Sequence, residues 1–123
     1  MPTAQEHKKK YQDNKEVLNS VFDCNNKLHC NWIVTISFYI SLHIIEAKLA
    51  MNRNLHSRDH KQRDEIIENC GLFGRNVKSK YKQLKSNCWS ARYSKNDMAP
   101  TIANQMKRFA EEIEAEVFPE QNK

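Results

Sequence analysis

Residues that form tight turns are scarce in this chain of 123 residues, which contains only two glycines and three prolines. An all-β sandwich or barrel needs many tight turns, so that fold class is poorly supported. Hydrophobic residues make up 39% of the chain and charged residues 28%, a composition typical of a globular protein. The length predicts a single domain, with a core over about residues 5–118.

Signals for export or membrane insertion are weak. Met1 is followed by a polar, charged stretch instead of an apolar segment, so we expect no signal peptide. The most apolar stretch, residues 32–51, contains Glu46 and Lys48, and charged groups near the middle of a membrane span are costly. We therefore expect a cytoplasmic protein with a buried apolar helix and no membrane contact.

Metal and cofactor motifs are missing as well. The four cysteines lack CxxC spacing and are expected to be reduced thiols. Cys24, His29 and Cys30, with Cys70 or Cys88, offer one way to draw a zinc site, but the spacing is not that of a standard zinc knuckle. There is no phosphate loop, dinucleotide fingerprint, HExxH or GxSxG motif. We expect neither a metal nor a cofactor.

Apolar residues recur every three or four positions along most of the chain, which predicts helices. Thr3 and Glu6 fit a capping box at the first helix start, and Pro100 suits the first turn of the last helix. We predict five helices, over about residues 3–24, 31–51, 57–70, 76–93 and 100–118. The expected fold is all-α, an antiparallel bundle of four to five helices with the second helix at its centre.

The same periodicity predicts which side chains of the outer helices are buried. In the first helix they are Tyr11, Val17, Leu18, Val21 and Phe22. In the third helix they are Ile66, Ile67 and Cys70, and in the fourth Val77, Tyr81, Leu84 and Cys88. In the fifth they are Ile102, Met106, Phe109, Ile113 and Val117. The acidic side chains of the fifth helix are expected to stay largely solvated; they are Glu111, Glu112, Glu114 and Glu116.

Positive charge is concentrated in the middle of the chain. Residues 1–52 carry six Lys/Arg against five Asp/Glu, residues 53–95 carry eleven against four, and residues 96–123 carry three against six. A basic segment followed by an acidic one indicates an anionic partner, and nucleic acid is the commonest. An excess of this size also occurs as ordinary solubility charge.

The densest polar cluster spans a loop and the start of the third helix, and comprises Arg53, His56, Arg58, His60, Lys61 and Arg63. Metal-independent RNA cleavage needs a base, an acid and cations, which histidine and arginine supply. The candidate catalytic residues are His56, Arg58 and His60, and the candidate RNA-binding residues are Arg53, Lys61, Arg63 and Arg92. The alternative is a solvated loop in which a histidine caps or packs a helix end.

Two further features are more consistent with structural roles. His43, inside the apolar helix, is expected to be a core histidine bonded to a neighbour. Trp89, Arg92 and Tyr93 give the fourth helix an aromatic and basic end. These side chains either stack on an exposed nucleic-acid base or pack over the end of the bundle and seal it, and sealing is the commoner role of such residues.

Three segments stand in a characteristic order along the chain: Ser37-Phe38-Tyr39-Ile40-Ser41-Leu42-His43, His56-Ser57-Arg58-Asp59-His60-Lys61-Gln62-Arg63, and Trp89-Ser90-Ala91-Arg92-Tyr93. This order resembles the HEPN (higher eukaryotes and prokaryotes nucleotide-binding) domains, which often show YYAxxHxAxALL, a His-containing helix start and RxxADY. The resemblance covers about residues 5–118 and implies a bundle that is usually dimeric. It also implies RNA as the partner, in prokaryotic toxin–antitoxin, CRISPR-linked or antiviral systems, commonly beside a nucleotidyltransferase-like protein.

Many HEPN domains are metal-independent endoribonucleases whose signature is an Arg followed after four to six residues by a His. If Tyr93 matches the Tyr of RxxADY, Cys88 stands where that Arg is usual, and no His follows in the helix. Arg53 and His60 have the right composition but lie in another element. Two hypotheses remain, of which we favour the first: an RNA-directed domain, either a ribonuclease whose active groups moved to the loop around His56 or an RNA-binding relic, and a non-enzymatic interaction subunit that dimerises or docks a partner.

Overall fold

The computed structural model describes residues 2–53, 55–95 and 97–122, with the side chains of 53, 121 and 122 excepted. Its five helices are α1 (Ala4–Val21), α2 (Cys30–Arg53), α3 (His60–Asn69), α4 (Arg75–Tyr93) and α5 (Pro100–Val117). Short 3₁₀ turns occupy Lys27–His29 and Pro119–Asn122, and the described residues include no β-strand. The all-α prediction is confirmed, with helix bounds within a few residues of those expected.

Local sequence accounts for several of the helix ends. The Thr3 amide donates to Glu6 Oε1 (2.9 Å) and the Glu6 amide donates to Thr3 Oγ1 (3.1 Å), which is the predicted capping box. Asp59 caps α3 by accepting a hydrogen bond from the Gln62 amide (2.8 Å). Just beyond α3, Gly71 has a φ of +77°, a left-handed conformation that glycine adopts without strain.

Helix α2 is central, with α1, α4 and α5 packed around it. Eight apolar residues recur at three- and four-residue steps on two faces of α2. Seven of them are at most 6% exposed; they are Ile33, Phe38, Ile40, Leu42, Ile44, Ile45 and Leu49. The eighth, Ile36, is partly buried against them. The stretch Lys27–Asn52 is long and apolar enough to cross a membrane, but 72% of its apolar window is buried in the bundle. This agrees with the core helix of a soluble protein.

Contacts between helices fix an antiparallel arrangement. His7 of α1 contacts His43 near the other end of α2, and Asn31 at the start of α2 donates to the carbonyl of Ala91 at the end of α4 (3.0 Å). Lys80 of α4 pairs with a glutamate of α5, Glu112, at 2.6 Å. The predicted residues of α4 are buried as expected, while Phe22, Ile66, Cys70, Ile102 and Phe109 are partly buried against the core. The four cysteines are free thiols.

Two burial predictions for the outer helices are wrong. Val17 and Val21 of α1 are 44% and 60% exposed, because α1 meets the core with the face that carries His7, Tyr11 and Leu18. Glu114 of α5, expected to be solvated, is 2% exposed and pairs with Lys15 of α1 (Nζ to Oε1, 2.5 Å). Periodicity identifies the apolar face of a helix, but the neighbouring helices determine how much of it is covered.

Candidate nucleic-acid interface

A groove of about 660 Å³ lies between α3 and α4, with Phe38 of α2 also lining it. Its walls are formed by His60, Asp64, Ile67 and Glu68 from α3, and by Lys78, Tyr81, Lys82, Lys85, Ser86, Cys88, Trp89, Ser90 and Arg92 from α4. The volume lies in the usual range for ligand sites. Two of the predicted site residues, His60 and Arg92, line the groove.

The groove exists because few side chains of α3 are buried in the core. Within α3, Ile67 is the fully buried residue, at 5% exposed. Toward α4, Lys85 forms an ion pair with Asp64, and Lys82 pairs with Glu68 (3.6 Å). These side chains are substantially exposed, so they bridge the two helices without filling the space between them.

Positive charge prevails in the groove. Four cations and two carboxylates line it, namely Lys78, Lys82, Lys85, Arg92, Asp64 and Glu68. The two ion pairs across the groove are solvent-exposed, and each such pair contributes at most about 1 kcal/mol. A phosphate group can therefore compete with the carboxylates for the same lysines.

Trp89 presents an exposed aromatic ring at the groove. It is 65% exposed, and Tyr93 one turn further is 60% exposed, with ring centroids 5.2 Å apart. The expectation that these aromatics seal the bundle is therefore wrong. Asn31 closes that end instead, because it donates to the Ala91 carbonyl (3.0 Å) and accepts from the Met98 amide (2.7 Å). An exposed tryptophan beside cations is an arrangement on which nucleic-acid bases stack.

A chain of hydrogen bonds from the core holds His60 at the groove. Glu46 of α2 is 4% exposed, and its Oε1 accepts a hydrogen bond from Arg63 Nε at 2.6 Å. Nη1 of the same arginine lies 2.8 Å from Nδ1 of His60. Because arginine only donates hydrogen bonds, Nδ1 is the acceptor, and the proton of the neutral ring is on Nε2.

Electrostatics favour the neutral form of His60. Burial, and then the charge of Arg63, lower the pKa of His60 below its ordinary value of 6.5. Burial disfavours the charge on Arg63, but its hydrogen bond to Glu46 and the nearby Tyr81 raise the Arg63 pKa overall. His60 therefore offers a ligand one donor, Nε2–H, and has no free acceptor nitrogen with which to take a proton from a ribose hydroxyl.

Of the other predicted site residues, those whose side chains the structure describes do not line the groove. His56 is partly buried and close enough to His7 of α1 for its charge to lower the pKa of His7, after the larger effect of burial. Arg58 and Lys61 are exposed and do not line the groove. The side chain of Arg53 lies outside the described residues. The structure thus does not bring both predicted catalytic histidines into the groove.

His43 is bonded to a neighbour, as predicted, and the neighbour is His7 of α1. Their Nδ1 atoms are 3.0 Å apart, so one ring donates and the other accepts. Burial, followed by the charge of His7, lowers the pKa of His43 to about 4, and burial lowers the pKa of His7. The pair links α1 to α2 and is separate from the groove.

Glu46 and Ser57 support the site but are not identified by sequence motifs. Ser57 Oγ donates to Glu46 Oε1, the same oxygen that binds Arg63, so this carboxylate ties both the loop and α3 to α2. The sequence feature that could have identified Glu46 is its position as an isolated carboxylate in an apolar helix. Such a group must find a partner when it is buried.

Among the described residues, no three His, Cys, Asp or Glu side chains are placed to hold a metal ion. No protein-family model, curated protein or solved structure matches this chain. The α3–α4 groove is therefore the feature from which function is inferred.

Proposed function

We propose that this chain is an RNA-directed protein that binds single-stranded RNA in the groove between α3 and α4. The observation that carries the proposal is the exposed Trp89 among the cations of that groove. Lysine and arginine neutralise backbone phosphates, and an unpaired base stacks on an aromatic ring. Ser86 and Ser90 also line the groove. A serine hydroxyl can both donate to and accept from the ribose 2′-hydroxyl, the group that distinguishes RNA from DNA.

The resemblance to HEPN domains supports the same proposal. His60 and Arg92 belong to two of the three segments that carry the resemblance, and both line the groove. The biological setting implied by the resemblance, a prokaryotic defence or toxin–antitoxin system, is part of the proposal.

We favour RNA binding without turnover over a metal-independent endoribonuclease. Cleavage by His56 and His60 would require both rings at one phosphodiester, but only His60 lines the groove. The hydrogen bond from Arg63 also occupies the nitrogen that a general base would use. End-labelled RNA incubated with the protein and excess EDTA is expected to remain intact, and cleavage that His60→Ala abolishes would reverse this preference.

Fluorescence anisotropy with a labelled single-stranded RNA of twelve nucleotides tests the binding proposal. Trp89→Ala is expected to weaken binding about 10-fold, because base stacking contributes about 1–3 kcal/mol. Trp32→Ala is the matched control, since Trp32 is 61% exposed and does not line the groove. The proposal fails if the wild type does not bind, or if the two variants bind equally well.

The dependence of this affinity on salt tests the phosphate contacts separately. Each phosphate neutralised on a single strand contributes about −0.7 to the slope of log K against log salt. Three or four contacts in the groove predict a slope of about −2 to −3. Binding that does not weaken between low and moderate salt would contradict the electrostatic part of the proposal.

An interaction subunit is the second candidate function, and a different surface favours it. Val17, Val21, Leu28 and Trp32 are 44–81% exposed around the turn from α1 to α2. Grouped exposed apolar residues indicate a protein contact, and the HEPN resemblance implies a homodimer or a nucleotidyltransferase-like partner. Light scattering tests the homodimer: Leu28→Ser should convert a wild-type dimer to a monomer, and a monomeric wild type counts against it.

A further inference from the structure

The groove continues along α4 into a second concavity. This space, of about 480 Å³, is lined by Glu68, Arg75, Lys78, Ser79, Lys82 and Gln83. Three of these residues, Glu68, Lys78 and Lys82, line the first groove as well. The two spaces therefore adjoin and form one longer surface beside α4.

Cations follow this side of α4 over almost its whole length. The residues Arg75, Lys78, Lys82, Lys85, Trp89 and Arg92 are spaced alternately three and four positions apart. That spacing places them on one face of the helix. At about 1.5 Å per residue, the face spans about 26 Å from Arg75 to Arg92.

We propose that the site takes a single strand of about five to eight nucleotides, laid along α4 from Trp89 to Arg75, and not a free nucleotide. This inference rests on the proposed RNA binding. Nucleotides stacked in one strand advance about 3.4 Å each, so about 26 Å corresponds to about eight stacked nucleotides and to fewer in an extended strand. The strand is unpaired because a base must leave its partner to stack on Trp89.

The two ends of the surface supply different interactions. The end at Trp89 combines stacking with the charge of Arg92, whereas Arg75, exposed in the first turn of α4, offers charge alone. Between them, Lys82 pairs with Glu68 (3.6 Å), and Lys78 donates to the Glu68 carbonyl (3.1 Å). A short RNA should therefore occupy the Trp89 end, and only a longer RNA reaches Arg75.

A length series of labelled oligouridines tests the inference. Affinity for the wild type is expected to rise at least 10-fold from three to nine nucleotides and to change little from nine to twelve. Arg75→Gln should weaken binding of the nine-nucleotide RNA about three- to five-fold and leave the trinucleotide unaffected. Arg108→Gln makes the same charge change at an exposed site on α5 and should have no effect at any length.

The possible results separate this inference from the proposal on which it rests. Binding that depends on Trp89 but is equally strong for three and nine nucleotides would overturn the extended site and retain the RNA groove. An Arg75→Gln variant that matches Arg108→Gln for the nine-nucleotide RNA would also overturn it. Absence of Trp89-dependent binding at every length would overturn both.

Discussion

His60 depends on two neighbours for its chemistry. The buried carboxylate of Glu46 needs a partner, and Arg63 provides it with one nitrogen while another nitrogen donates to His60. The planar guanidinium can make both contacts at once because its donors form a fixed fork. The internal ion pair therefore adds to burial in favouring the neutral form of His60.

Replacing Arg63 by lysine should change the titration of His60. Lysine retains the charge beside Glu46 but lacks the fork that also reaches His60, so the pKa of His60 should rise toward 6.5. Histidine NMR spectra recorded against pH measure this, and in the wild type they should show a neutral Nε2–H ring at pH 7. The matched control is Arg58→Lys, an exposed change in the same segment.

A wild-type spectrum showing the proton on Nδ1 would contradict the proposed chain of hydrogen bonds. So would an Arg63→Lys variant in which the pKa of His60 stays at its wild-type value. Neither measurement involves RNA, so the hydrogen bond between Arg63 and His60 can be tested independently of the proposed function.

At the scale of elements, α3 supplies carboxylates that would compete with the proposed RNA for the lysines of α4. Asp64 pairs with Lys85 and Glu68 with Lys82, both in exposed geometry. The double variant Asp64→Asn/Glu68→Gln should therefore bind RNA several-fold more tightly. The loss of unfolding free energy should stay below about 2 kcal/mol for the two exposed pairs.

Fluorescence anisotropy at two salt concentrations measures the RNA affinity, and urea unfolding measures the free energy of unfolding. Glu65→Gln is the control, because Glu65 is an exposed carboxylate of α3 that does not line the groove. Weaker binding by the double variant would mean that the carboxylates position the lysines instead of competing with RNA.

The helices and their ends could be predicted because their causes are local in sequence. The capping box of Thr3 and Glu6 and the left-handed Gly71 involve residues within a few positions of each other. The burial of Glu114 could not be predicted in this way, because it depends on a lysine 99 positions away, Lys15.

The candidate site was only partly predictable for the same reason. The composition of residues 53–63 singled out His60 and Arg63, which do act together. Trp89 is exposed at the groove between α3 and α4, and no short motif encodes how these two helices pack. The separation of His56 from the groove likewise depends on how the loop is tied to α2 through Ser57.

For the whole molecule, we expect the His7–His43 pair to make the fold less stable in mild acid. Burial lowers both pKa values, to about 4 for His43, whereas an unfolded histidine titrates near 6.5. The unfolded chain therefore takes up protons first as pH falls, so stability is full above about pH 6.5 and declines toward pH 4. Since His43 is only partly buried, the expected loss by pH 5 is about 1–2 kcal/mol.

Urea unfolding at pH 7.5 and pH 5 measures this loss. The double variant His7→Leu/His43→Leu should show a smaller difference between the two pH values than the wild type does. His29→Gln, at the turn between α1 and α2, leaves the pair intact and should retain the wild-type difference. If the free energy of unfolding depends on pH equally in the wild type and the double variant, the loss of stability in acid does not come from His7 and His43.

The uneven distribution of charge makes the molecule an electric dipole. Residues 53–95 hold the positive end, whereas α5, with its glutamates, packs on the side of α4 that bears Lys80, away from the groove. A polyanion within about 8 Å, the Debye length at physiological salt, exerts a torque on such a dipole. For the proposed RNA partner, this torque would turn the groove toward the RNA before contact and so raise the association rate constant.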